Sequence, residues 1–317
     1  MNKNKIISAV LLLSASVACQ KNALPQQSGL PLSFSSGQTK AGLSEVYDNF
    51  KVFAATQSVE GATTVLMNGY RVNYLSGWTY TSGEGTDGQA MQFWDNSAYS
   101  HSFHAGSPVS KVRTITASSI ELDLCSTTSL TETSFYSDPY LVKPADALFG
   151  HPVTLNFRYA NARVNLAVKY LTDTPLEITG LALTPASSYA TAATLGFDYD
   201  WSRLVVVPGS LNISAQSSYP LTFADISIPA KSEEFYQTAT PWYVIPDPAS
   251  KGQWTLSLNI AGEVRSVQFT VSKAWEIGKS YLYRFEYTDK ANLVFVAAEE
   301  ELFIGADPED GGEHNFE

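Results

Sequence analysis

The sequence predicts an all-β protein made of two antiparallel β-sandwich domains with few short helices. Its dominant hydrophobic period is two rather than 3.6, the spacing of a strand with one buried face. The alternating stretches are separated by Gly, Pro, Asn and Asp, with no helical pattern between successive strands. The chain has 317 residues. Without an N-terminal leader about 300 remain, which suits two domains better than one.

Residues 1–18 read as a signal peptide. Lys3 and Lys5 supply a positive start, and the apolar run from Ile6 to Val17 is too short to span a bilayer. The run closes on Ser16-Val17-Ala18-Cys19. Small residues before a cysteine suit a lipoprotein signal peptidase, and the sulfur of Cys19 would take a diacylglyceryl group. Ser16 stands where such signals usually carry Leu. An ordinary signal peptide with a chance cysteine is therefore the alternative. Residues 19–30 follow as a polar, lipidated tether.

The domain elements come next. Leu43, Val46, Tyr47 and Phe50 have the one helical spacing, over a short stretch. Val72, Tyr74, Trp78 and Tyr80 share a strand face. Gly83 to Gly88 form a hairpin loop, and Gln89 to Trp94 look like a strand. The alternating run Ile120, Leu122, Leu124 ends at Cys125, and another turn is read around Pro139 to Leu148. Val153, Leu155, Phe157 and Tyr159 point one way, whereas Val164, Leu166, Val168 and Tyr170 continue with opposite parity. The switch across Ala160-Asn161-Ala162-Arg163 calls for a bulge, kink or turn.

Asp173-Thr174-Pro175 marks the boundary between an N-terminal sandwich, 31–172, and a C-terminal one, 173–317. Trp254, Leu256, Leu258 and Ile260 lead through Ala261-Gly262-Glu263 to Val267, Phe269 and Val271, a hairpin. Tyr281, Tyr283, Phe285 and Tyr287 form an aromatic face. The acidic, Gly-rich residues 305–317 read as a loose tail.

Charge and cysteine usage limit the function. The formal net charge of −11 argues against nucleic acid, whose phosphates would be repelled. Cys19 and Cys125 are the two cysteines. With Cys19 acylated no internal disulfide can form, and the fold rests on its core. Cys125 reads as a small buried side chain rather than a nucleophile.

Familiar catalytic patterns fail on inspection. Gly83-Glu84-Gly85-Thr86-Asp87-Gly88 fits G-x-G-x-x-G by letter, but a phosphate site needs a helix N-terminus next, and Glu84 and Asp87 would repel the ligand. His101 and His104 would face opposite sides of a strand, so they cannot share a metal. Asp198-Tyr199-Asp200 opens like a calcium loop, but Arg203 occupies the glycine position and Gly209 the glutamate position. No G-x-S-x-G elbow occurs. The expectation is a non-enzyme without cofactor or metal, although scattered carboxylates leave a glycosidase pair open. Trp78, Trp254 and Trp275 suit a core, while Trp94, Trp201 and Trp242 could stack on a glycan.

Several segments, in order, resemble the fimbrillin family of Bacteroidales, the subunits of type V pili. Phe34 to Ala41, with Thr39-Lys40-Ala41, then Phe50-Lys51-Val52-Phe53-Ala54, resemble its opening strand, its T-R/K-A step and an F-x-V-F-A strand. Gly77-Trp78-Thr79-Tyr80, Phe93-Trp94 and Ser102-Phe103-His104-Ala105 follow the family's aromatic order. Leu155 to Val164 is similar to L-x-F-x-H-A-x-A-K-V, with Tyr159 in place of the histidine. Trp242-Tyr243-Val244-Ile245-Pro246 and Trp275 to Tyr283 are similar to L-Y-x-I-P-Q and W-x-x-G-K-x-Y-x-Y.

The resemblance implies a pair of transthyretin-like sandwiches and an outer-membrane, surface-exposed subunit exported as a lipoprotein. A surface protease would remove the lipid with the first strand, and a strand from the next subunit would fill the groove. Its partners would be other fimbrial subunits, the outer membrane through the lipid anchor, and host or bacterial surface ligands. Lys40 is the processing candidate, since no arginine precedes Arg71. The donor-strand candidate is 291–304, with Leu293, Val294, Phe295, Val296, Leu302, Phe303 and Ile304, interrupted by Glu299-Glu300-Glu301. The alternative from another class is a monomeric, surface-exposed glycan-binding lipoprotein. A first strand near Leu32 to Ser36 that is central and removable favours the pilin. An edge strand beside an exposed aromatic platform favours the glycan binder.

Overall fold

Period-two alternation is realised as twenty-three strands and three single turns of 3₁₀-helix among the described residues of the computed structural model, which are 29–36, 48–288 and 292–302. Up to the chain's midpoint these are β1 (Phe34–Ser36), β2 (Asn49–Gln57), β3 (Thr63–Tyr74), β4 (Trp78–Thr79), β5 (Ser100–Ser107), β6 (Val112–Ile115), β7 (Ser119–Cys125), β8 (Phe135–Ser137), β9 (Tyr140–Val142), β10 (Val153–Leu155) and β11 (Phe157–Tyr159). Then come β12 (Ala162–Tyr170), β13 (Leu176–Pro185), β14 (Tyr189–Asp200), β15 (Val205–Ser217), β16 (Leu221–Thr222), β17 (Ile226–Ile228), β18 (Tyr236–Gln237), β19 (Trp242–Val244), β20 (Gly252–Ile260), β21 (Glu263–Val271), β22 (Lys279–Tyr287) and β23 (Leu293–Leu302).

A central sheet runs β11-β8-β5-β2-β3-β4, with β9 also on β5. The middle strands β2 and β5 carry unbroken buried runs, because both faces are covered. On one face Phe50, Val52, Ala54 and Phe103 pack with Leu32, Phe34, Val153 and Leu155. Against the other lies the sheet β15-β14-β7-β6, which contributes Ile120, Leu122, Leu195 and Phe197. Gly106 of β5 permits that contact: a Cβ there would stand 2.3 Å from Ile120 Cδ1 and 2.8 Å from Val112 Cγ2.

The second core lies between β18-β12-β22-β23, with β19, and β16-β13-β20-β21, with β17. The 254–271 hairpin forms as β20–β21, and its inward residues Trp254, Leu256, Leu258, Phe269 and Val271 are buried. They meet the aromatic face of Tyr281, Tyr283, Phe285 and Tyr287 on β22, also buried.

The chain passes from one core to the other at Ala160–Ala162: Ala160 belongs to the core under the β15-β14-β7-β6 sheet, while Ala162 and Val164 belong to the second core. The β14–β15 hairpin then returns to pair with β7. Alternation reports which face is buried but not which strand is the partner. β1–β10 and β12–β22 are parallel pairs; each joins segments too distant in sequence for a hairpin to dictate direction. Phe50 lies on β2, while residues 43–47 of the helical spacing lie outside the described residues. Pro139 to Leu148 holds β9 and, as expected, hydrogen-bonded turns.

Asn161 occupies the crossover with no exposed surface. Its Oδ1 accepts from Ser134 N at 3.3 Å, its Nδ2 donates to Cys125 O at 3.1 Å and to Val244 O at 3.5 Å, and its carbonyl accepts from Gly278 N at 3.2 Å.

Two substitutions test this layout by urea denaturation. Gly106→Val should cost about 1–3 kcal/mol through overpacking against Ile120 and Val112. Asn161→Ala should cost about 1–3 kcal/mol for each buried backbone group it leaves unpaired.

Candidate functional site: the first strand and its groove

Residues 30–36 thread between two flanking segments. Leu32 N donates to Gln92 O at 2.8 Å and Trp94 N to Leu30 O at 3.0 Å, around the Pro31–Phe93 bridge. The chain then switches partners, and Val153 N donates to Ser33 O at 2.8 Å where β1 runs parallel to β10. Ser35 Oγ and Thr154 Oγ1 add a 2.8 Å bond. The segment is thus bordered along both halves.

Its inward side chains, Leu32 and Phe34, are 2% and 5% exposed. The Phe34 ring lies edge-on to Phe50, Tyr80 and Phe103, at 5.7, 5.9 and 6.4 Å between centroids. Burying these two side chains contributes about 3–6 kcal/mol. Without them the wall of Phe50, Tyr80, Phe103, Val153 and Leu155 would face an open apolar groove.

The 92–95 segment on one border is held by Tyr80 and His101. Tyr80 OH donates to Gln92 O and accepts from Gln92 N, and His101 Nε2 accepts from Asp95 N at 3.2 Å. Gln89 to Trp94, expected as a strand, pairs only through the bridge at Phe93. The Gln89 amide takes the N–H and carbonyl of Arg71, occupying the edge of β3 as a strand would.

The donor-strand candidate is seated in its own subunit as β23, antiparallel to β22 at a sheet edge. Leu293 is buried, and Phe295 stacks 4.9 Å from Phe269. Val294, Val296 and Leu302 are exposed. The strand continues through Glu299-Glu300-Glu301 instead of being interrupted by them. Cys19, Lys40, Phe303 and Ile304 lie outside the described residues.

The remaining candidates stay apart from this groove or play packing roles in it. His101 and His104 are both fully buried on β5. His101 packs at a tilt against Trp94, and on the opposite face His104 stacks on Phe53 and packs against Tyr199. Burial pushes each imidazole down to about 4. Among the described residues no three His, Cys, Asp or Glu side chains are grouped to hold a metal. Cys125 is half-buried, with its thiol on Glu132 O at 3.3 Å. Trp94 is buried, and Trp201 and Trp242 are half-buried with indole N–H groups on Ala117 O and Thr222 O. Among the described residues no helix is long and apolar enough to cross a membrane.

These features define an all-β protein in which a short strand near the N-terminus completes an apolar core. The chain belongs to the fimbrillin-like family, whose model matches residues 39–299. The fold is similar to that of a candidate cell adhesion protein from Bacteroides uniformis, at 15% identity and TM-score 0.50 over 86% of this chain and 97% of that one. Candidate cell adhesion proteins from Bacteroides fragilis (13% identity, TM-score 0.39, 86% and 93% covered) and Bacteroides eggerthii (12%, 0.37, 81% and 89%) also match. No curated protein matches the chain.

The buried histidines make acid stability a test. His104 is neutral in the fold, with a value of about 4 against 6.5 in the unfolded chain. The unfolded state therefore takes the proton first, and stability falls as pH drops from 6.5 toward 4. That fall should be about 2–3 kcal/mol for His104. His104→Phe should remove that share of the fall in pH-dependent urea melts and leave the share of His101.

Proposed function

We propose that this fimbrillin-like protein is a structural and adhesive subunit of a surface fimbria, exported as a lipoprotein on Cys19 and assembled by strand exchange after cleavage near Lys40. One observation carries the reading. Residues 30–36 supply Leu32 and Phe34 to an aromatic core, yet their onward link to the domain runs through 37–47, the segment that contains Lys40. A cut there would leave the strand held by non-covalent contacts alone. Its loss would open a groove with unpaired edges at 92–94 and β10, a site for β-augmentation.

The incoming strand would come from the 291–304 region of the next subunit. Val294, Val296 and Leu302 are solvent-exposed apolar side chains of the kind such a groove would bury. Four or five inward side chains would contribute roughly 6–15 kcal/mol, more than the two they replace. Head-to-tail repetition gives an open filament of fimbrial subunits. Cys19 would hold the precursor at the outer membrane, and surface ligands of host or bacterial cells would be the adhesion targets.

Treatment with a lysine-tolerant, trypsin-like protease should yield polymers by electron microscopy. N-terminal sequencing of assembled material should begin after Lys40. An intact acylated Cys19 within the filament would overturn the processing step.

A further inference from the structure

The last strand is held in two different ways along its length. Its first half is apolar: Leu293 is buried, and Phe295 packs 4.9 Å from Phe269 and 5.5 Å from Phe285. A bulge then intervenes, where the register shifts between the pairs Arg284–Ala297 and Phe285–Phe295. Past it Ala298 and Glu300 stand opposite Tyr283 and Tyr281, and so share their inward face.

The second half buries no apolar side chain. Ala298 is exposed, and a cavity of about 90 Å³ lies beside it, lined by Val271, Tyr281, Tyr283 and Glu300. Ionic contacts take the place of packing. Arg284 Nη2 lies 2.9 Å from Glu299 Oε2, and its guanidinium sits over the Phe235 ring at 5.1 Å. Glu300 pairs with Lys279 of the neighbouring strand and, at 3.1 Å, with Lys273, which follows β21 of the facing sheet. Lys279 also reaches Glu276 at 3.3 Å. Glu300 therefore ties the two sheets together at the open side of the sandwich. These bonds hold its carboxyl below the usual range, the Lys279 bond first and the Lys273 bond second.

We propose that Glu299 and Glu300, with Arg284, Lys279 and Lys273, form an electrostatic latch that keeps the C-terminal half of β23 on its own subunit until the charges are screened or competed away. The inference rests on the reading of β23 as the departing strand. These ion pairs keep partial solvent access, most of all at Lys273, so salt weakens them, whereas apolar burial persists in salt. The strand therefore peels from its C-terminal end, Leu302 first, with Leu293 and Phe295 as the last anchor. The outward Val294 and Val296 remain 39% and 47% exposed in the docked state and have area left to bury elsewhere.

Amide hydrogen exchange on the full chain tests the latch without requiring assembly. Raising salt from about 10 mM to about 1 M shortens the screening length from roughly 30 Å to 3 Å. Exchange at 297–302 should then rise roughly fivefold, while the β20–β21 hairpin stays unchanged. The near-isosteric E299Q/E300Q variant should exchange fast at low salt and lose the salt response. Lys273→Met, on the facing sheet, should give part of the effect without altering β23. Exchange at 297–302 that is indifferent to salt and to both variants overturns the latch, even if protease-treated protein polymerises. Salt-responsive exchange without polymerisation leaves the latch standing and overturns the donor role instead.

Discussion

The structure depends on a fully satisfied buried amide at the point where two cores meet. Asn161 ties the end of β7, the start of β8, the end of β19 and the turn before β22 into one junction. A buried amide with every partner in place is stable, whereas a half-satisfied one costs more than an apolar side chain would. It therefore fixes how the chain leaves the first core at Ala160 and enters the second at Ala162. The β14–β15 hairpin then crosses back to β7, so the core under that sheet contains strands from both sides of the crossover.

That interlocking bears on the proposed exchange. The central sheet is covered on one face by the strand at 30–36 and β10, and on the other by β14 and β7. Loss of the first strand would expose one face only. The opposite face would keep Ile120, Leu122, Leu195 and Phe197 in place around Gly106. The two candidate exchange strands differ in kind. The first is held by two large buried side chains, and in the proposed scheme its removal would follow a covalent cut. The last is held by packing at one end and by charge at the other, and in that scheme would leave without one.

Local features of the fold were legible in the sequence and long-range ones were not. The β20–β21 hairpin and the aromatic face of β22 could be read because their signal lies in contiguous alternation with a short turn. The parity switch near Asn161 was readable too, since β11 and β12 keep opposite phases around it. The β7–β14 pairing was not, because two amphipathic strands carry no label for each other. Phe50 illustrates competing periods: it closes a helical spacing with Leu43, Val46 and Tyr47, yet opens the alternation Phe50, Val52, Ala54, and sheet burial on both faces decides for the strand. At the site, Leu32 and Phe34 were visible as a candidate strand, but their two successive partners, 92–94 and β10, were beyond any local pattern.

The aromatic content has a structural explanation that bears on the two functional readings. Cys125 is the one cysteine among the described residues and has no disulfide partner, so there aromatic packing rather than cross-linking supplies order. Trp254 and Trp275 lie 5.2 Å apart and donate to Ser250 O and Tyr283 OH. Trp201 and Trp242 spend their N–H groups on backbone carbonyls of neighbouring segments. An indole that stacks on a sugar must offer a free face and is often asked for its N–H as well. Here four of the six tryptophans commit that donor internally, and Trp94 is buried in the wall of the groove. The aromatics hold the sheets together and line the place where the first strand fits, an arrangement that suits the proposed strand insertion better than an exposed sugar-stacking platform.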